Sequence, residues 1–252
     1  LSARNLTKSF GGPPAVDGVS FDLAPGETLA LIGPSGCGKT TTLKLLNRLV
    51  EPDAGEVRLG GQEAHELSAH AWRRRMGYVI QSAGLFPHLR LAENVAVTPR
   101  LLGWEPARIE VQLIRLFDLI GMPLSEFGQR FPAELSGGQA QRIGLARALA
   151  GEPDIILMDE PFSALDAMTK DTLIEDMKRL RTEIGFAAVI VTHDFSEALR
   201  FADRIAVMDA GQIIQIGPAH ELMSAPANDT VARLLEAPRR TAAAVSSAFE
   251  KA

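Results

Sequence analysis

Cysteine is almost missing from this chain of 252 residues: Cys37 stands alone. An internal disulfide is therefore excluded, and the usage fits a reducing cytosol. A basic excess is missing too. Lysine and arginine number 26 against 31 aspartates and glutamates, a net charge of −5, so a nucleic-acid partner is not expected. Arg73-Arg74-Arg75 is a short basic run that reads as a solvated face. No apolar stretch is long enough to cross a bilayer, and no secretory leader is recognised at the start. The first residue is Leu1 rather than Met, so a few trimmed residues are expected ahead of it. Internal repeats, low-complexity linkers and sustained heptads are also absent. What is present is 46% hydrophobic residues, ample for a core in one large domain or two small ones.

The organising stretch is Gly33-Pro34-Ser35-Gly36-Cys37-Gly38-Lys39-Thr40-Thr41. It follows the apolar run Leu29 to Ile32 and precedes a helical pattern with Leu43, Leu46 and Leu49 on one face. Strand, glycine-rich loop and helix in that order fit the P-loop pattern. Ser35, Gly36, Cys37 and Gly38 let successive N–H groups turn inward as an anion nest, and the helix start adds unpaired donors and its dipole. Lys39 brings a point charge to the β- and γ-phosphates, the Thr40 hydroxyl is a hard oxygen ligand for Mg²⁺, and Thr41 is placed for the α-phosphate. Cys37 reads as a small residue that happens to be a thiol, because no activating base lies near it in sequence. These residues say that the chain binds a nucleoside triphosphate, and no more.

The remaining elements follow in order. Leu1 to Phe10 reads as an edge strand closed by Gly11-Gly12-Pro13-Pro14. Val19, Phe21 and Leu23 alternate with polar residues as in a half-buried strand. Phe10 suits either stacking on a nucleobase or capping a small sheet, and the residues do not choose between the two. Glu56 to Leu59 and Met76 to Ile80 read as strands, the second ending at Gln81. A glutamine past a strand end is where α/β folds place ligand contacts, but on its own it reads equally as a polar loop residue. From about 82 to 150 the pattern is helical and punctuated by prolines, with Ile109, Leu113, Leu116, Phe117 and Ile120 on one buried face.

A second glycine pair opens a second helix at Leu135-Ser136-Gly137-Gly138-Gln139. Ser136 suits an N-cap, but glycine weakens a helix start, so the pair points to close approach of an anion. Ile155 to Met158 is a continuous apolar run, as in a central parallel strand, and ends in Asp159-Glu160. Asp159 suits a Mg²⁺-side carboxylate and Glu160 a water-activating base. A helix with Leu173, Met177, Leu180 and Ile184 inward follows. Ala187 to Thr192 is the next buried strand, ending at His193, in line with Gln81 and Asp159. Asp209-Ala210-Gly211-Gln212 reads as a hairpin turn, and an apolar helix near Thr230 to Leu235 closes the pattern.

Taken together and in order, the P-loop, Leu135 to Gln139, Asp159-Glu160, Ser163 to Asp166 and His193 resemble the ATPase subunits of ABC transporters over nearly the whole chain. The resemblance implies an α/β P-loop NTPase of ABC type, with a mixed central sheet, a small antiparallel β subdomain and a helical insert. Residues 1–237 would form that domain and 238–252 a loosely ordered tail. It implies ATP and Mg²⁺ as cofactors and two copies facing head to tail. Each ATP would lie between one copy's P-loop and the other copy's Ser136, Gly137, Gly138 and Gln139. Gln81 becomes the residue sensing Mg²⁺ and the attacking water, Glu160 the general base and His193 a γ-phosphate contact. Asp166 joins the dimer contact, Phe10 stacks on adenine and Val16 packs near base or ribose.

A finer likeness lies in Met76 to Gln81, Gly84-Leu85-Phe86-Pro87-His88, Leu101-Leu102-Gly103-Trp104, Met158 to Phe162 and Pro226 to Asp229. These resemble importers for osmoprotectants such as glycine betaine, choline or carnitine. Implied partners are transmembrane permease subunits and, through them, a solute-binding protein, with the chain at the cytoplasmic face of the membrane. Ser163 stands where that family commonly has glycine. Many relatives also carry paired C-terminal CBS modules, for which these 252 residues are expected to have no room. Alternatives are an importer of another small solute and a soluble ABC ATPase of DNA repair or translation. The latter usually has long coiled coils or two fused copies.

Overall fold

The computed structural model describes residues 1–163 and 165–236. An antiparallel pair, β1 (Ser2–Lys8) and β2 (Val16–Asp22), leads through a turn at Pro25-Gly26 into β3 (Thr28–Ile32) and helix α1 (Lys39–Leu46). Next come the hairpin β4 (Ala54–Leu59) and β5 (Gln62–Glu63), α2 (Ala69–Arg74) and β6 (Met76–Val79). Four helices follow: α3 (Leu91–Leu101), α4 (Pro106–Leu119), α5 (Leu124–Phe127) and α6 (Gly137–Leu149). The chain then runs through β7 (Ile155–Asp159), α7 (Ala167–Ile184), β8 (Ala187–Val191) and α8 (Phe195–Phe201). It ends with β9 (Arg204–Asp209), β10 (Gln212–Gly217), α9 (Ala219–Ser224) and a helical stretch over 229–236. The tail expected over 238–252 lies outside the described residues.

Two sheets result. A four-stranded antiparallel sheet has the order β2-β1-β4-β5, and a six-stranded sheet has the order β10-β9-β3-β8-β7-β6. In the larger sheet β9, β3, β8, β7 and β6 are parallel, and only β10 pairs antiparallel, so the sheet is mixed. β1 lies inside its sheet between β2 and β4 rather than at the edge expected for it. The residues supply no local signal for this, because its second partner, β4, is brought alongside only after the intervening P-loop helix.

The fully buried strands serve two cores by simple alternation. Ala30, Ile32, Ile156, Met158, Ala188, Ile190, Ile205 and Val207 face the helical layer of α3, α4, α6 and α7. Leu29, Leu31, Ile155, Leu157, Val189, Val191, Ala206 and Met208 face α1 and the antiparallel sheet. The continuous apolar runs in the sequence reflect this burial on both faces. In α4 the expected face is turned inward, with Leu116, Phe117 and Ile120 buried. Pro99 falls inside α3 instead of breaking it, within the last turn. Leu49 lies beyond the end of α1 and is exposed, because the helix stops at Leu46.

The arginine run is only partly solvated. Arg74 is exposed, whereas Arg73 donates to the Arg48 carbonyl at 2.9 Å and Arg75 pairs with Asp154 at 2.8 Å. Beside them Trp72 is completely buried, and its indole N–H donates to the Leu46 carbonyl at 2.9 Å, which satisfies the last turn of α1. Trp72→Phe removes that donor and strands a buried acceptor, and is expected to cost about 1–3 kcal/mol. Trp72→Ala also empties a large volume and is expected to cost about 3–5 kcal/mol. Urea unfolding of both variants checks the order.

Candidate active site

The parallel strands end on one side of the sheet, and the sequence-predicted residues sit at those ends. β8 is hydrogen-bonded between β3 and β7, pairing Val191 with Leu31 on one side and with Asp159 on the other. β6 lies beyond β7, with Val79 opposite Met158. The loop after β3, Asp159-Glu160 after β7, His193 after β8 and Gln81 after β6 are thereby neighbours.

An open cleft of about 480 Å³ is lined by Ala15, Ser35, Gly36, Gly38, Lys39, Thr40, Thr41, Glu160 and His193. The loop can wrap it because Gly38 has φ +103°, and a Cβ there would stand 2.2 Å from the Ala15 carbonyl oxygen. Lys39 is 7% exposed, and its ammonium donates to the Gly33 and Pro34 carbonyls, each at 2.8 Å. Cys37 is buried beneath the loop, with its backbone carbonyl accepting from the Gly211 N–H at 3.1 Å. Its side chain joins the core on the α1 face of the sheet, with Sγ accepting from the Lys39 ammonium at 3.6 Å.

Thr40 Oγ1 donates to Asp159 Oδ1 at 2.9 Å, joining the P-loop helix to the end of β7. Glu160 is bracketed: Gln81 Nε2 donates to one carboxylate oxygen at 3.2 Å, and His193 Nδ1 lies 3.3 Å from the other. The Glu160 backbone is left-handed, with φ +45°. That conformation is costly for a residue with a Cβ, and its neighbours hold it. The Glu160 N–H donates to the Val191 carbonyl at 2.9 Å, and Ser163 Oγ donates to the Glu160 carbonyl at 3.0 Å. Ser163 thus helps fix this turn.

Burial is the largest influence on Asp159 and raises its carboxyl above the usual range. The Thr40 hydrogen bond opposes this, the Glu160 charge adds to it, and Lys44 and Lys39 pull the other way. The Thr40 hydroxyl and Asp159 carboxylate are hard oxygen donors, and a dication would relieve the buried charge. No cluster of three or more metal-ligating side chains occurs among the described residues. A hydroxyl and a carboxylate suit Mg²⁺, which keeps water and phosphate ligands and needs few from protein.

Other expected residues lie elsewhere. Phe10 is 65% exposed, beside Lys8 rather than on the cleft lining. Val16 is wholly buried in the core under the antiparallel sheet, and its neighbour Ala15 faces the cleft instead. Ser136, Gly137, Gly138 and Gln139 start α6 away from the cleft. Ser136 Oγ accepts from the Gln139 N–H at 3.3 Å, and Gln139 Oε1 accepts from the Ser136 N–H at 3.0 Å, a reciprocal capping box. Gly137 is exposed, but Gly138 is buried, and a Cβ on it would stand 2.4 Å from Thr169 Cγ2. The second glycine therefore has a packing reason within the chain, where the sequence suggested only an anion. Asp166 caps α7: Oδ1 accepts from the Thr169 N–H at 3.1 Å and Oδ2 from the Thr169 hydroxyl at 2.6 Å. These two bonds, the hydroxyl's first, hold its carboxyl below the ordinary value.

Ala15, on the cleft lining, and the buried Glu197 belong to no motif in the sequence. An acid on the inward face of α8, beside Ala198 and Phe201, was the available signal for the latter.

A largely parallel sheet with a P-loop cleft at the carboxyl ends of its parallel strands defines a mononucleotide-binding α/β protein. The family description "ABC transporter" matches residues 16–163, and the chain belongs to that family. The chain is 46% identical over 232 residues to the glycine betaine/carnitine/choline transport ATP-binding protein of Bacillus subtilis, covering 92% of this chain and 61% of that one. It is 47% identical over 231 residues to the glycine betaine uptake system ATP-binding protein of Escherichia coli, covering 92% and 75%. A solved dimeric, post-hydrolysis ATP-binding cassette bound to ADP and Pi superposes with a TM-score of 0.76 at 31% identity, over 86% of this chain and 97% of that one. The chain thus spans about three fifths of the length of the Bacillus relative.

A carboxyl whose proton is held more tightly in the folded state makes its ionised form a stability cost. That cost is complete above the raised value and disappears below the ordinary value of 3.8. Asp159→Asn is therefore expected to raise the urea midpoint of the metal-free protein at neutral pH. The advantage should vanish as pH falls through that window, measured by unfolding across a pH series.

Proposed function

We propose that this chain is the ATP-binding and hydrolysing motor of an ABC importer, with quaternary-amine osmoprotectants such as glycine betaine or choline as its cargo. The observation that carries the reading is Glu160 held between Gln81 and His193 at the mouth of the P-loop cleft, 3.2 and 3.3 Å away. Support for the cargo is the likeness to the Bacillus and Escherichia relatives, whose names give glycine betaine, carnitine and choline.

The Lys39 ammonium would exchange its carbonyl partners for β- and γ-phosphate oxygens, while the loop N–H groups and the α1 start receive the rest of the triphosphate. Thr40 and Asp159, with Gln81, would hold Mg²⁺, which supplies neutralisation of charge on the phosphoryl oxygens. Glu160 accepts the proton of the attacking water, and His193 keeps that carboxylate and the γ-phosphate in register. Positioning and electrostatics carry most of such a reaction. Phe10 is free to fold over a base, and the backbone beside Val16 borders the cleft through Ala15.

Ser136, Gly137, Gly138 and Gln139 would meet the ATP of a second copy, with Asp166 at the contact between copies. The domain would run over 1–237, with its helical insert over 82–150 and a tail at 238–252. Among the described residues no helix is long and apolar enough to cross a membrane. Attachment would come through permease subunits at the cytoplasmic face, and a solute-binding protein would deliver cargo to them.

Glu160→Gln is expected to slow ATP turnover by about 100-fold or more and to accumulate an ATP-bound dimer in size-exclusion chromatography. A monomer at saturating ATP would count against the two-copy site. Uptake of labelled glycine betaine and choline should stop when the chain is deleted. Unchanged uptake would remove the cargo and leave the motor.

A further inference from the structure

We infer that Glu197 is a positioning residue for His193, acting through the Thr192 hydroxyl and braced by Lys170 of α7. The inference rests on the function proposed above. Glu197 is 3% exposed and has no part in the cleft described so far. One carboxylate oxygen accepts from Thr192 Oγ1, and the other pairs with Lys170 Nζ at 2.6 Å. Thr192 is itself buried. With its proton committed to Glu197, its lone pair faces the Asp194 N–H, which donates to it at 3.0 Å. On the other side the Thr192 N–H donates to the Leu31 carbonyl at 3.2 Å, next to the P-loop.

Both backbone flanks of His193 are thereby tied down. Asp194 is held further by the Ser196 N–H, which donates to Oδ1 at 2.8 Å, and by Lys170 at 3.6 Å from Oδ2. The His193 side chain is 61% exposed and meets Glu160 from this fixed base. Replacing a buried ion pair with packed apolar groups is often neutral or stabilising. Stability alone therefore gives no reason for Lys170–Glu197, and the direction it imposes on the Thr192 hydroxyl does. Lys170 lies one helical turn beyond Asp166, so the same brace links the histidine turn to the start of α7.

The test is steady-state ATP hydrolysis by the full chain, with Glu197→Gln, Thr192→Val and Thr192→Ser, each also made in a His193→Ala background. Glu197→Gln and Thr192→Val are expected to lower kcat about 10- to 100-fold with KM for ATP within about twofold. Thr192→Ser keeps the hydroxyl and should stay within about threefold of wild type, and Glu197→Gln should add no further loss once His193 is gone. A lowered Tm with kcat per folded molecule intact would overturn the inference, as would equal losses with and without His193. If Glu197→Gln does not fold, the two Thr192 variants decide. An inactive wild type would remove the proposed function and this inference with it. An active wild type beside a fully active Glu197→Gln would remove this inference alone.

Discussion

Neighbouring strands of a sheet sit about 4.8 Å apart, and here their spatial order decides which residues meet. β8 is the pivot. Leu31 and Asp159 both pair with Val191, so segments more than a hundred residues apart end on one line. A slip of one residue in any of these strands would exchange the side chains that fill the two cores. The two cores on either side of the sheet therefore fix the register, and the register fixes the cleft. The P-loop, the acidic pair and the histidine need no long-range steering of their own.

The costs gather at that edge. Glu160 is held in a left-handed conformation, Asp159 carries a partly desolvated charge, and Glu197 is an ion in the interior. Each is tolerated because rigid elements on both sides supply partners: Val191 and Ser163 for Glu160, Thr40 for Asp159, Lys170 and Thr192 for Glu197. Away from the edge the structure is conventional, with apolar alternation through the strands and Trp72 locking the far end of α1. Stability is concentrated in the cores and tension at the strand ends, as expected of a protein that must bind and act there.

Much of this was legible in the residues. The P-loop, the continuous apolar strands, the serine cap of α6, the apolar face of α7 and the acidic pair are local patterns, and each forms where its pattern lies. What the residues hid was non-local. The interior place of β1 depends on a partner strand some fifty residues away. The wholly buried Val16 follows from packing of one sheet on another, which alternation cannot distinguish from burial beside a ligand. The packing of Gly138 was hidden as well, because its neighbour Thr169 lies 31 positions on and has no motif of its own. Glu197 reads as an ordinary helix acid until α7 brings a lysine to it.

The close approach of Gly138 to Thr169 carries a mechanical meaning. The threonine side chain cannot swing aside without giving up its hydroxyl's hydrogen bond to Asp166, and the space beside the glycine is too small for a Cβ. The outward-facing rim at Ser136 and the corner at Asp166 thus meet through one tight packing contact. Any larger residue at 138 would have to dislodge the threonine that Asp166 holds, so the shape of the one end is written into the other.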